Sequence, residues 1–260
     1  MNKLYVVLLV SLLSIVFCTP AFALFTNGGF EDGTLNGWTV RTGQTFYGGV
    51  GGIDEVSWNG MSGPGAVIIG SGYADPYSPF DGPFYGNYMA MINDGSGGYH
   101  ATQLSQADTV TAADLATDGL YHLYFGWGAV INNPSGHPYE DQPFFDINVL
   151  VNGVSQYHVE MAGNNAGAGG WTAGGSNFYY NSSSQDINIL ALGDTVEVVL
   201  SAVDCGWGAH GGYAYIDGFG SEYVQDPGDP DPNQNPVPEP MTALLFGPAL
   251  IGLVGLKKKA

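Results

Sequence analysis

Two polar segments of this chain hold the residue types from which a reactive or ligand-binding site would be built. The first is Asn133-Pro134-Ser135-Gly136-His137-Pro138-Tyr139-Glu140-Asp141-Gln142-Pro143, where His137, Glu140 and Asp141 offer metal-ligating or proton-transfer groups just before an apolar run. A solvated connection between two strands accounts for the same polarity without any ligand, because loops are polar anyway. The second segment is Asp204-Cys205-Gly206-Trp207-Gly208-Ala209-His210-Gly211-Gly212-Tyr213, whose composition marks a conformationally special loop. His210 alone makes no metal site, since zinc needs further ligands at a definable spacing. Cys205 reads as a small buried apolar residue, because no Lys or Arg near it in sequence would lower its pKa. The chain contains no H-E-x-x-H, G-x-S-x-G, phosphate loop or Cys-x-x-Cys. A glycosidase needs only two carboxylates apposed in space, about 5 to 9.5 Å apart, with no sequence spacing of their own. With 24 acids present, sequence singles out no such pair.

Aromatic residues are the other candidate chemistry, since sugar rings stack on indole and phenol faces while nearby Asp and Asn bind hydroxyls. The chain has five Trp and 16 Tyr. Most aromatics in a sandwich are core, and Trp38 and Trp127, lying in strand candidates, are expected there. Trp58 and Trp171 sit in Gly-rich loops and are expected to be exposed, which makes them the glycan-binding candidates.

The elements that must position these groups are strands. The clearest alternation is Phe145, Ile147, Val149 and Val151 against Asp146 and Asn148. A second places Val196, Val198, Leu200 and Ala202 opposite Glu197 and Ser201. Such period-two patterning means strands with one face in a core. Asn152-Gly153 supplies a two-residue turn that folds Phe144 to Val151 back onto Ser155 to Met161. Further strands are expected at 37–41, 66–69, 87–92, 100–105, 120–131, 177–180, 186–190, 195–203 and 212–219. Thr111 to Thr117 alone has helical character, and it is short. Gly163 to Gly175 reads as a long flexible loop carrying Trp171, and Ser71 to Pro83 as another. These elements describe an all-β chain with a single core, a common solution at this length.

Both ends carry targeting patterns. Lys3, the apolar run Leu4 to Phe17 and the small-x-small Ala21-Phe22-Ala23 form a secretory signal peptide over residues 1–23. At the other end Pro236, Pro238 and Pro240 hold an extended peptide, followed by 16 uncharged residues from Met241 to Leu256 and then Lys257, Lys258 and Lys259. A helix apolar all round belongs in lipid, and terminal lysines hold their end on the cytoplasmic side. This order of Pro-Glu-Pro, apolar helix and basic cluster resembles the PEP-CTERM sorting signal of bacterial surface proteins. The resemblance implies recognition of Pro238, Glu239 and Pro240 by an exosortase, a membrane-embedded peptidase. It covers only Pro236 to Ala260 and concerns handling rather than activity. Expected boundaries are thus a signal peptide over 1–23, a β domain over 24–225, an acidic Pro-rich linker over 226–240 and a membrane tail over 241–260.

Between Leu24 and Leu256 Arg41 is the only Lys or Arg against all 24 acids, so the exported body carries a net charge of −23. Such a body repels nucleic acid and anionic membrane surfaces and attracts divalent cations. Cys205 is the only cysteine left after loss of the signal peptide with Cys18, so no intramolecular disulfide staples the fold.

Asn27-Gly28-Gly29-Phe30-Glu31 followed by Gly37-Trp38, with Gly212-Tyr213-Ala214-Tyr215-Ile216-Asp217 near the other end, resembles galactose-binding-like jelly rolls and related carbohydrate-binding modules. The resemblance implies a jelly-roll-type β-sandwich and a structural calcium shared by Glu31 and Asp217. That family often has Asn after the second acid, where this chain has Gly218. Turn-forming and capping roles are the alternative for both acids. Together these features lead to a non-catalytic cell-surface or matrix protein associating with extracellular polysaccharide. An extracellular glycan hydrolase or lyase, and a structural adhesin or ice-binding surface, are the alternatives.

Overall fold

The computed structural model describes residues 24–46, 56–61 and 63–221. The expected signal peptide, the linker with Pro238, Glu239 and Pro240, and the tail with Lys257, Lys258 and Lys259 lie outside the described residues. Among the described residues no helix is long and apolar enough to cross a membrane.

Two antiparallel sheets face each other across one core. The first sheet has five strands in the order β1 (Thr39–Gln44), β4 (His100–Thr109), β10 (Thr195–Val203), β6 (Phe144–Val151) and β7 (Val154–Ala162). The second has six: β2 (Ala66–Gly70), β3 (Tyr88–Ile92), β11 (Gly212–Gly220), β5 (Tyr121–Asn132), β9 (Phe178–Leu190) and β8 (Thr172–Ala173). From β3 to β6 and again from β9 to β11 the chain crosses between sheets at each step. Most neighbours in each sheet are therefore distant in sequence.

The alternating residues meet as their pattern requires. Phe145, Ile147 and Val149 of β6 and Val196, Val198 and Leu200 of β10 are all fully buried in the shared core with Phe125, Trp127, Ala214 and Ile216. The β6–β7 hairpin turns through Asn152 (φ 52°) and Gly153 (φ 76°), the left-handed pair that a two-residue turn needs to match strand twist. One strand is longer than its composition suggests. The run Asn181 to Gln185 is polar enough to look like a break, yet it continues β9, with Ser183 opposite Trp127 and Gln185 opposite Phe125.

The N-terminal segment closes one end of the core. Phe30 and Trp38 stack at 5.2 Å, Trp38 meets Phe219 edge-on at 5.5 Å, and Phe219 stacks on Phe125 at 4.8 Å. Phe219 N–H donates to the carbonyl of Gly28 at 3.2 Å, and a Cβ on Gly28 would collide with the Phe219 backbone. The Gly28-Gly29-Phe30 and Gly37-Trp38 elements are thus packing devices.

The outer face of the second sheet is covered. Tyr73, Tyr77 and Phe80, from the loop after β2, pack on Met89, Val130, Phe178, Tyr213 and Tyr215. Asp75 staples this loop: Oδ1 accepts the N–H groups of Tyr77 and Ser78, both at 2.7 Å, and Oδ2 accepts the hydroxyls of Tyr213, at 2.7 Å, and Tyr215. The expectation of a second flexible loop over Ser71 to Pro83 is corrected, because its aromatics find an apolar sheet face and its carboxylate finds four donors.

Candidate functional site

The outer face of the first sheet carries polar side chains. Because β10 points its even-numbered residues into the core, Ser201 lies on the opposite face, and the strand registers place Arg41, Gln103, Ser201, Asp146 and Glu160 side by side across all five strands, with Ser201 and Asp146 buried and Arg41 and Glu160 exposed. Four inter-strand spacings make that row about 19 Å long. Arg41 donates from Nη1 to Oε1 of Gln103 at 3.3 Å, and Gln103 donates from Nε2 to Oγ of Ser201 at 3.2 Å. His158 Nε2 and Asp146 Oδ2 are 2.6 Å apart, and Tyr139 OH donates to Glu160 Oε1 at 3.2 Å. A parallel row holds Ser105, Asn148 and His158.

On its other side the polar row borders an apolar one of Ala101, Val203, Phe144 and Ala162, against which Val56 and half-buried Trp58 pack. The Arg41 guanidinium lies 5.2 Å from the centroid of the Trp58 ring. Arg41 is the only Lys or Arg of the described residues. At its exposed ends the row offers the Arg41 guanidinium and the Glu160 carboxylate, with the Gln103 amide between Arg41 and Ser201 and an indole at the rim, a donor and acceptor set suited to a hydroxyl-rich ligand.

Of the two glycan-binding candidates, Trp58 stands at this face and Trp171 does not. Trp171 is 5% exposed, packed in the core 6.4 Å from Trp127 and 5.9 Å from Phe145 by ring centroids. The loop that carries it is folded back tightly, with Gly169 N–H donating to Asn165 O at 2.7 Å and Trp171 N–H to Ala166 O at 2.9 Å. The expected exposure of Trp171 and the flexibility of Gly163 to Gly175 are both corrected: the glycines permit a compact turn that drives the indole inward. Trp38 and Trp127 are buried as expected, and Trp207 is the exposed tryptophan, at 43%.

Glu31 and Asp217 grip the same segment. Asp217 is fully buried and accepts N–H bonds from Tyr85 at 2.8 Å and Gly218 at 2.7 Å. Glu31 Oε1 accepts from the backbone of Asn87 at 2.8 Å and Tyr88 at 3.1 Å, and its Oε2 accepts from Asn87 Nδ2 at 2.8 Å. Burial pushes the Asp217 carboxyl well above the usual carboxylate range, and the Glu31 charge adds to the rise against the backbone donors. Arg41, on the other sheet, offers no compensation. All four carboxylate oxygens are taken up by N–H donors, the turn-forming and capping role, and the oxygen-only chemistry of the pair is also that of a hard-cation site for an ion such as Ca2+. Gly218 has φ 71° at an irregularity in β11, with the Tyr85 ring against it, so a side chain there would be strained and crowded.

The two polar segments singled out by composition meet at the end of the sandwich where β6 begins and β10 ends. Buried Asp141 accepts from Trp207 Nε1 at 2.8 Å, and Gly206 N–H donates to the Asp141 carbonyl at 3.2 Å. The His137 ring lies over Trp207, with centroids 4.1 Å apart, and meets His210 edge-on at 4.7 Å. Burial, and then the neighbouring His137, holds the His210 imidazole below its ordinary pKa. Asp204 anchors the loop base, accepting from His100 N–H at 3.0 Å and Asn93 Nδ2 at 2.9 Å, and burial pushes its carboxyl up to about 7. Glu140 makes no hydrogen bond or ion pair with the other residues of this cluster. Neither this convergence nor the five-strand polar row was readable from local spacing.

No family model matches the chain, and no curated protein matches it. Among solved structures, TmCBM61 in complex with beta-1,4-galactotriose is 14% identical, with 76% of this chain and 97% of that one covered at a TM-score of 0.40. Tailspike protein 4 of bacteriophage CBA120 is 12% identical over 77% of this chain and 22% of that one, at 0.35. A family 35 carbohydrate-binding module from Clostridium thermocellum is 12% identical over 58% of this chain and 90% of that one, at 0.23. At these scores and identities the likenesses carry no argument about ligand or activity.

Proposed function

We propose that the protein binds extracellular polysaccharide, without catalysis, on the outer face of its five-stranded sheet. The observation that carries this reading is the row of Arg41, Gln103, Ser201, Asp146 and Glu160 beside Trp58, exposed at its Arg41 and Glu160 ends and buried at Ser201 and Asp146 between them. The strand orders 3-11-5-9 and 4-10-6-7 within the two sheets support the jelly-roll assignment. Calcium between Glu31 and Asp217 is part of the proposal, as the cation that relieves their repulsion. So are export by the signal peptide, sorting through Pro238, Glu239 and Pro240 by an exosortase-like peptidase, and a surface or matrix destination.

Retention of the full chain on immobilised bacterial exopolysaccharide, competed by the same soluble polysaccharide, tests the reading. No retention with or without calcium removes it. A hydrolase or lyase is the second reading, favoured by one observation: Asp146 and Glu160 are direct cross-strand partners with one carboxylate oxygen of each within 4.8 Å of the other, close to the short separation of a retaining glycosidase pair. Release of reducing ends or unsaturated products, lost in Glu160→Gln, would select it over binding alone.

A further inference from the structure

We propose that His137, Cys205 and His210 form a binding site for a transition-metal ion of borderline softness, with Zn2+ as its type. One ligand atom from each residue can be chosen so that all three lie within 4.8 Å of one another. Cys205 Sγ and His210 Nδ1 are 3.5 Å apart. A tetrahedral zinc with ordinary Zn–S and Zn–N bonds puts sulfur and nitrogen about 3.5 Å apart, so this pair already has the separation the metal requires. His137, whose ligand atom lies within 4.8 Å of the other two, completes the third vertex with an approach of at most about 1.5 Å.

The surrounding structure holds the ligands in place. The sulfur is fully buried, and Ala209 N–H points at it from 3.4 Å, a donor that favours the thiolate. His137 Nδ1 faces the carbonyl of Asp141 at 3.4 Å, which leaves Nε2 to the metal, and Gln142 Nε2 donates to the His137 carbonyl at 2.9 Å. Such outer hydrogen bonds orient ligating imidazoles. The Trp207 ring, over His137 and bonded to Asp141, screens one side. A thiolate and two imidazoles select zinc, cobalt or copper over calcium and magnesium, the reverse of the oxygen pair at Glu31 and Asp217. Three protein ligands leave one position for water or an exogenous ligand.

The test is titration of the metal-stripped full chain, its thiol kept reduced, with Co2+ as spectroscopic probe and Zn2+ as competitor. Expected are one Co2+ per chain, a sulfur-to-cobalt charge-transfer band with tetrahedral ligand-field absorption, and displacement by one equivalent of Zn2+. Cys205→Ser should abolish the charge-transfer band. His137→Ala and His210→Ala should each weaken Co2+ binding by roughly 100-fold or more, beyond the loss typical of an outer-shell partner. Half-exposed His137 lies on a surface loop, so His137→Ala keeps the test usable if Cys205→Ser does not fold. Absence of the charge-transfer band while the thiol still titrates as free would overturn the site. So would an unchanged cobalt affinity in both histidine variants.

Discussion

Removing one hydroxyl from the tyrosine pair under the loop at 71–83 tests how that loop is held. In Tyr213→Phe the ring stays and only the donor to Asp75 Oδ2, 2.7 Å away, is lost. A hydrogen bond to a charged group contributes about 1.5 to 3 kcal/mol. Asp75 retains the Tyr215 hydroxyl and the N–H groups of Tyr77 and Ser78, so the cost should fall near the middle of that range, about 2 kcal/mol. Asp75→Ala leaves the Tyr213 hydroxyl and both N–H groups without their acceptor, while the Tyr215 hydroxyl keeps the Tyr73 hydroxyl at 2.8 Å, and should cost more, about 3 to 5 kcal/mol. Burial and the Asp75 charge push both tyrosines far above the usual phenol range, so neither ionises in the accessible range and the comparison is free of tyrosine titration. Urea unfolding of wild type, both single variants and the double variant closes a mutant cycle. In the Asp75→Ala background, Tyr213→Phe should cost almost nothing. Equal cost of Tyr213→Phe with and without Asp75, or a cost under about 0.5 kcal/mol in the wild type, would refute the staple.

Trp171→Ala should destabilise the fold by about 3 to 5 kcal/mol through a core cavity, seen as a lower melting temperature, with glycan retention intact wherever the variant is folded. His122 lies between Asp118 Oδ2 at 3.0 Å and Asp186 Oδ1 at 2.8 Å. Burial lowers its pKa, but the hydrogen bonds and charges of Asp186 and Asp118 outweigh this and raise it overall. The folded state therefore binds the proton more tightly than the unfolded chain. Its stabilisation is fully present below about pH 6.5 and is lost as pH rises through the higher folded-state pKa. Unfolding midpoints of wild type and His122→Asn should diverge in acid and converge in alkali, and a constant gap would contradict the assignment. If calcium sits between Glu31 and Asp217, chelation should lower the melting temperature of the wild type and leave Glu31→Gln unchanged. The same response to chelation in both would exclude that site.

How much of this was legible depended on whether the signal was local. Phe145 to Val151 and Val196 to Ala202 announce buried strands by alternation alone, and Asn152-Gly153 announces the turn between β6 and β7. Glu31 and Asp217, paired through a resemblance, do meet on one segment. Trp171 was misplaced because glycine content speaks of permitted backbone shapes, and a permissive loop can pack as tightly as a strand. The polar row was invisible because its five members come from strands whose order in the sheet departs from their order in the chain. His137 stands 68 residues before Cys205, and no rule of ligand spacing joins two loops that only β-pairing brings together.

The central claim is that the five-stranded sheet presents the ligand face, and affinity electrophoresis through polysaccharide-containing gel measures it directly. Wild type, Trp58→Ala and Arg41→Ala are run together, with melting temperatures confirming that each is folded. The account predicts retardation of the wild type and loss of most of it in both variants, since the indole and the guanidinium stacked on it act as one rim of the site. Equal retardation of all three folded proteins would place the ligand elsewhere and contradict the account.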